Sequence, residues 1–429
     1  MRELLDITYM ETSIPKSPFD RLKTKVFIPA HGIDNQNYFY YIDFNNGIIK
    51  KWIMNCERYK AYLTDSMQAF KTQILQIFEM FESFLYNRTL YHSACSAGDK
   101  LFVSPVYGNH FLEIDLKSNR CDFIAQDEYD VFSSTNCVVN QHLYFTKWSM
   151  LDSFSRKRSQ DDVRLKFIRY DIKNNSFEIL HEVNGPDGIH HTAINCDESN
   201  LIAVEMPRFS NEIMNFKLPA EERDAQLKNV LAKGICSGKV LNYNLKNNVV
   251  YTTELQKGPA HIEFDVRDQN ICYISSNNLL FFNCFGTGEF MKLQLDHGIH
   301  KLSQFTDPDL FRIPCHKVFQ YQNKTNLVTT AFSNILYILD TESMSLKNKI
   351  YLSNTTVKRP NFEHGPFQYP MHDFTPYAVS PIENSPYLLL VNLWEIKLFD
   401  ISSQKTVARF NFNLDNDPIN SISHSLFIN

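Results

Sequence analysis

The groups in this chain with the most chemistry to offer are its histidines, and five of them recur at one kind of place. They are His92 in Leu90-Tyr91-His92-Ser93-Ala94, His191 in Gly188-Ile189-His190-His191-Thr192, His261 in Gly258-Pro259-Ala260-His261-Ile262, His316 in Ile313-Pro314-Cys315-His316-Lys317, and His372 in Pro370-Met371-His372-Asp373-Phe374. Each opens a strand-rich stretch, and most follow a Gly or Pro that marks a turn. A neutral imidazole is a borderline ligand for iron, copper and zinc, and several of them need a scaffold that carries distant segments to one point. Equivalent positions in equivalent repeats become neighbours on such a scaffold. The spacing therefore predicts a shared transition-metal site. His31, His110, His142, His181, His297, His300 and His364 fall outside this pattern and read as surface or loop residues, while the place of His424 depends on how the repeat closes.

The elements that must position these residues read as β-strands. The chain has 429 residues, 43% hydrophobic and 21% charged, with 34 Phe and 21 Tyr. Flat and β-branched side chains fill a pleated surface well, so the aromatic content favours strands over helices. A motif of apolar, Asp or Asn, apolar, then a polar turn returns along the chain. It occurs at Tyr41-Ile42-Asp43-Phe44-Asn45-Asn46-Gly47, Glu113-Ile114-Asp115-Leu116-Lys117-Ser118-Asn119, Arg169-Tyr170-Asp171-Ile172, Asn242-Tyr243-Asn244-Leu245, Ile338-Leu339-Asp340-Thr341 and Leu398-Phe399-Asp400-Ile401. A degenerate copy lies at Phe282-Asn283-Cys284-Phe285-Gly286-Thr287-Gly288. Asn and Gly supply the positive φ angles tight turns need, so each copy predicts a hairpin. Two further strand candidates precede each hairpin, as in Leu201-Ile202-Ala203-Val204-Glu205. Seven units of four strands predict an all-β, seven-bladed β-propeller spanning residues 1–429 as one domain. The first unit lacks an inner strand, and Asn420 to Ile428 is placed to supply it, which would remove two open sheet edges.

Two segments break the strand pattern. Residues 65–86 carry Met67, Phe70, Ile74, Ile77, Phe78, Phe81 and Phe84 at helical spacing with Asp65 as N-cap. Residues 219–233 begin on Pro219, follow it with Glu221 and Glu222, and stop at Gly234. Both predict helical insertions. The formal charge of -5 gives no basic face for nucleic acid, no apolar run is long enough for a stable membrane insertion, and Met1-Arg2-Glu3-Leu4-Leu5-Asp6 lacks an export signal. A cytoplasmic protein is the expectation. Nine cysteines with no paired CxxC spacing read as reduced thiols.

The predicted architecture, together with His372-Asp373-Phe374 followed by Thr375, Tyr377 and Val379, resembles the carotenoid cleavage oxygenase family. That family's propeller holds a non-haem iron with four histidines on its axis. The resemblance implies an Fe(II) oxygenase, with another divalent transition metal as the variant, acting on an apolar or aromatic small-molecule substrate. It implies His191, His261, His316 and His372 as ligands, with His92 in reserve. Glu205, Glu263 and Asp373 would then orient the rings from behind.

Other chemistry has less to stand on. The chain has no Gly-rich phosphate loop, no His-Glu-x-x-His helix and no G-x-S-x-G elbow. Cys315 beside His316 would face the opposite side of a strand. Two readings compete with the oxygenase: a non-catalytic propeller used as an interaction scaffold, and a metal-assisted lyase or hydrolase. Oligomeric state stays open at this level.

Overall fold

The computed structural model describes residues 2–5, 7–14, 18–32, 34, 36–55, 91–105, 110–125, 130–132, 137–149, 164–184, 192–205, 238–255, 271–274, 278–284, 289–295, 302–307, 315–322, 324–330, 334–353, 356–357, 371–372, 376, 378–422 and 425–428. Both predicted helices, 65–86 and 219–233, lie outside them. The described residues form an all-β, seven-bladed β-propeller.

Taken in chain order, blade 1 is built on Lys25–Gly32, Gln36–Asp43 and Ile48–Asn55, and blade 2 on Tyr91–Ala97, Lys100–Pro105, His110–Asp115 and Cys121–Ala125. Blade 3 uses Asp130–Phe132 and Cys137–Val139, then His142–Ser149, Arg164–Asp171 and Ser176–Asn184. Blades 4 and 5 are Thr192–Cys196, Asn200–Glu205, Gly238–Asn244, Val249–Leu255 and Ile271–Ile274, Leu279–Cys284, Glu289–Gln294, Leu302–Thr306. Blade 6 comprises Cys315–Tyr321, Lys324–Thr330, Ile335–Asp340 and Leu346–Tyr351; blade 7 comprises Ala378–Pro381, Tyr387–Val391, Glu395–Asp400 and Lys405–Asn411. A two-stranded ribbon, Thr356–Val357 with Met371–His372, stands between the last two.

The chain divides into two compact units, one of Met1–Ile189, Leu393–Ile396 and Ala408–Asn429, the other of His190–Asn392 and Lys397–Val407. In the second unit the first strands of blades 4, 5, 6 and 7 neighbour one another in that order. In the first unit, blade 1 is completed from the far end of the chain. Ile419–Ile422 and Leu426–Ile428 both pair antiparallel with Lys25–Gly32, through Ala30 opposite Ile422 and Val26 opposite Phe427. The tail is the missing inner strand that the short first repeat demands.

The repeated hairpins share one construction. In blades 1, 2, 3, 4, 6 and 7 the motif's Asp or Asn ends the third strand, and its side-chain oxygen accepts backbone N–H groups of the turn. Asp115 Oδ1, for example, takes Lys117 N at 2.9 Å and Ser118 N at 2.8 Å. Four residues after the Asp or Asn the chain enters the left-handed region: Gly47 (φ 65), Asn119 (58), Asn175 (52), Asn248 (57), Met344 (56) and Gln404 (55). Four of these are the Gly and Asn that tolerate it best. Met344 is the exception with a visible compensation, because its side chain is 3% exposed and packs into a core of Leu279, Phe281, Phe290, Leu327, Tyr337 and Leu339. The degenerate copy in blade 5 sits differently: Cys284 ends the second strand of its sheet, so that motif marks the turn before the third strand and not the one after it.

Cores form between facing sheets. Phe27, Phe39, Tyr41 and Trp52 of blade 1 pack on Leu101, Val103, Leu112 and Phe123 of blade 2. On the other side of blade 2, Phe102 and Phe111 meet Phe145, Ile168 and Tyr170 of blade 3, with Phe111 and Tyr170 ring centroids 5.0 Å apart. This explains why a strand such as Lys25–Gly32 is buried on both faces from its second residue onward. Its side chains alternate between two neighbours, neither of which is water.

Candidate functional site

The five histidines of the sequence pattern do not share one setting. His92 and His316 are each the second residue of the first strand of their blades, Tyr91–Ala97 and Cys315–Tyr321. His372 lies instead on the two-stranded ribbon, opposite Thr356, and the first strand of blade 7 begins only at Ala378. His191 and His261 lie outside the described residues, as do Glu263 and Asp373, while Glu205 ends the second strand of blade 4. Cys315 opens the strand that carries His316. Among the described residues no group of three or more His, Cys, Asp or Glu side chains is placed to hold a metal ion, so the implied iron finds no fitting donor set there.

Two histidines assigned to loops or the surface are core residues. His110 is 0% exposed and stacks on Phe123 with centroids 4.4 Å apart. Its burial, with the Lys147 ammonium nearby, pushes its pKa down to about 3. His31 is 1% exposed, and burial likewise lowers its pKa. Both pack as neutral rings, a role sequence periodicity does not separate from an exposed one. The cysteines also depart from expectation: Cys137 and Cys196 are disulfide-bonded, while Cys95 and Cys121 are free and buried.

Among the described residues, charged side chains gather at two places in the first unit. Lys51, on the outer side of blade 1, is 4% exposed, and its ammonium donates to Asp415 and, at 2.9 Å, to Asp417. Tyr40 OH also donates to Asp417, and desolvation beside that carboxylate drives the phenol's pKa far up. Asn413 closes the loop by donating to Asp417 O and accepting from Asp417 N. This clasp fixes the chain just before it turns into Ile419–Ile422.

The second cluster lies at the outer edge of blade 2. Arg2–Leu4 pairs there with Cys121–Ala125, and Thr8–Ser13 runs on along Ile48–Asn55 of blade 1. Arg2 donates Nη2 to Glu113 Oε1 at 2.8 Å and to Asp122 Oδ2 at 2.6 Å, Nε to the same Asp122 oxygen at 2.9 Å, and Nη1 to Asn175 Oδ1 of the blade 3 hairpin at 2.5 Å. Lys100 Nζ joins Glu113 Oε1 at 2.6 Å. Glu113 is 2% exposed and Asp122 6%. Tyr170 OH donates to Asn175 at 2.8 Å, and its own desolvation, with Glu113 and Asp171 adding negative charge, pushes its pKa up to about 12. Sequence reading missed both clusters. The available signal was a charge inside an apolar run, as at Glu113 in Phe111-Leu112-Glu113-Ile114 and Lys51 in Ile48-Ile49-Lys50-Lys51-Trp52-Ile53.

Other long cations are used as ties between neighbouring blades. Lys50 of blade 1 donates to Leu116 O at 2.6 Å and Asn119 Oδ1 at 2.8 Å in the blade 2 hairpin. Lys292 of blade 5 reaches Thr341 O at 2.7 Å and Glu342 O at 3.0 Å in the blade 6 hairpin. Each donates to oxygens of the Asp-turned hairpin in the next blade.

No protein-family model matches the chain, and no curated protein matches it either. Among solved structures it is similar to a chain of "Crystal Structure of Mitotic Checkpoint Complex", at 9% identity and a TM-score of 0.44, over 72% of this chain and 74% of that one. Such a likeness adds nothing to the fold traced above. Among the described residues no helix is long and apolar enough to cross a membrane.

Proposed function

We propose that this propeller is a non-catalytic interaction scaffold whose blades present their outermost strands to other proteins. The observation that carries the reading is where large apolar side chains remain in water. Ile179 (39% exposed) of blade 3, Val249 and Tyr251 (42% and 50%) of blade 4, Leu346 and Tyr351 (39% and 58%) of blade 6 and Val407 (51%) of blade 7 all belong to the last strand of their sheets. Those strands have no further strand paired to them among the described residues. Blades 1 and 2, by contrast, have outer edges taken up by Thr8–Ser13 and Arg2–Leu4. Added strands are thus a mode of contact that this fold already uses.

The competing oxygenase reading rests on the matching positions of His92 and His316. One pair of experiments separates them. Tyr251→Lys and Tyr351→Lys are expected to abolish retention of a co-purifying protein while leaving the thermal transition unchanged. A stoichiometric transition metal in protein purified without chelators, lost on His316→Ala, would overturn the scaffold reading.

A further inference from the structure

The Arg2 cluster has the composition of a binding site whose present occupant fits it imperfectly. Two carboxylates from adjacent strands, Glu113 and Asp122, are buried at the edge of blade 2. Asp122 takes two donors from Arg2 on one oxygen, and Arg120 Nη2 approaches the other at 3.4 Å. Glu113 is served on one side only: Arg2 and Lys100 both donate to Oε1, and Oε2 is buried with no hydrogen-bond partner. A buried carboxylate oxygen without a donor is costly, and a guanidinium meeting the carboxylate fork-on would supply the missing bond. Arg2 does not do so, because its Nη2 is divided between Glu113 and Asp122.

The occupant is also lightly held. Its ladder covers Arg2 to Leu4 opposite Ile124 to Asp122, followed by Leu5 N donating to Cys121 O at 2.9 Å. Leu4 is 56% exposed, and the apolar anchors that follow, Leu5, Ile7 and Tyr9, are only partly buried against the core between blades 1 and 2. Arg2 and Leu5 stand on opposite faces of the segment, so the edge reads an arginine on one face and apolar side chains on the other. Lys100 and Arg120 offset part of the carboxylate charge but leave the inner oxygen of Glu113 unmatched.

We propose that this edge of blade 2 is a recognition site for an extended, arginine-bearing peptide segment of a partner protein, which displaces Arg2–Leu4 and adds its own strand to Cys121–Ala125. This deepens the scaffold reading and rests on it. The partner's arginine is free of the connection to Thr8–Ser13 that sets the approach of Arg2, so it can engage Glu113 with two parallel N–H···O bonds while its backbone continues the sheet. Asn175, presented by the blade 3 hairpin and already receiving Tyr170 OH, takes the remaining donor.

The test uses the full chain carrying Arg2→Ala and two labelled peptides, one with the sequence of residues 1–7, which lacks Thr8–Ser13, and one with its arginine replaced by alanine. Fluorescence anisotropy is expected to show the arginine peptide binding about tenfold or more tighter, the worth of one charge-assisted hydrogen-bond pair. Adding Glu113→Gln to the chain should erase that preference. In the unaltered chain, excess arginine peptide should speed amide exchange at Leu4 and Leu5 while the amides of Cys121–Ala125 stay protected, a readout independent of how the variants fold. Equal binding of the two peptides, or exchange at Leu4 and Leu5 unmoved by peptide, overturns the proposal. Either result leaves the scaffold reading standing, because that reading is decided at Tyr251 and Tyr351.

Discussion

The two end segments of this chain do the same thing to their sheets and are held in opposite ways. Residues 419–428 add an inner strand to blade 1, and residues 2–13 add outer strands to blades 2 and 1. The inner addition is secured by a lysine with 5% side-chain exposure and Asp417 at 12%, and it is continuous with a core in which Ile419 and Ile422 are 8% and 3% exposed. The outer addition is secured by an arginine that is 37% exposed and by a leucine that is mostly in water. Strand pairing alone therefore does not rank the two. What ranks them is how completely the cation itself has left water and what its carboxylates keep when it is removed: Lys51 is buried, whereas Glu113 and Asp122 retain Lys100 and Arg120 without Arg2.

The sharpest way to break the comparison is at Lys51. Lys51→Met leaves Asp417 facing Tyr40 without its cation, and chemical denaturation should show a loss of about 3 kcal/mol. A loss no larger than that of an exposed pair would mean the clasp is not what holds the inner strand. Acid comes next. His110 takes its proton only near pH 3 when folded, against about 6.5 when unfolded, so the unfolded state binds more protons between those values. Stability should consequently fall as pH drops through that window, by up to about 1.4 kcal/mol per pH unit from this one group. His110→Gln should flatten the slope, as read from urea midpoints at several pH values.

Arg2→Ala is expected to cost about 1 kcal/mol and to act locally, raising exchange at Leu5 and at the outward amides of Cys121–Ala125 without shifting those of Lys25–Gly32. A loss as large as that of Lys51→Met would erase the distinction between the two ends. The smallest effect is set by an exposed reference pair, Arg169 with Glu178, at 35% and 55% side-chain exposure. Arg169→Ala should change stability by less than about 0.5 kcal/mol, and raised salt should remove even that.

How much of this was legible beforehand follows from how local the cause is. The Asp-turned hairpins could be read from sequence because each is decided by one short side chain bonding its own turn, as Asp115 does with Lys117 and Ser118. The closure of blade 1 could be read because a missing strand at one end and a spare one at the other are complementary deficits. Blade 5 was misregistered because Asn283 and Gly286 signal a turn without saying which turn of the sheet it is. Arg2–Leu4 is invisible as a strand in the sequence, since a three-residue edge strand has no periodicity and its reason for pairing, Glu113 and Asp122, lies more than a hundred residues away. The histidine register is legible as position and not as geometry: His92 and His316 share a place in their blades, whereas His372 sits on a ribbon that the preceding Pro does not announce. The burial of His110 depends on Phe123 of another strand, which spacing along the chain does not encode.

The contrast between a closing strand and an exchangeable one is tested most directly by hydrogen exchange on the intact chain under native conditions. Amides of Ile419–Ile422 and Leu426–Ile428 should exchange only with global unfolding, together with those of Lys25–Gly32. The amide of Leu5 should exchange orders of magnitude faster through local opening that leaves His110–Asp115 protected. Equal protection of the two end segments would contradict the account.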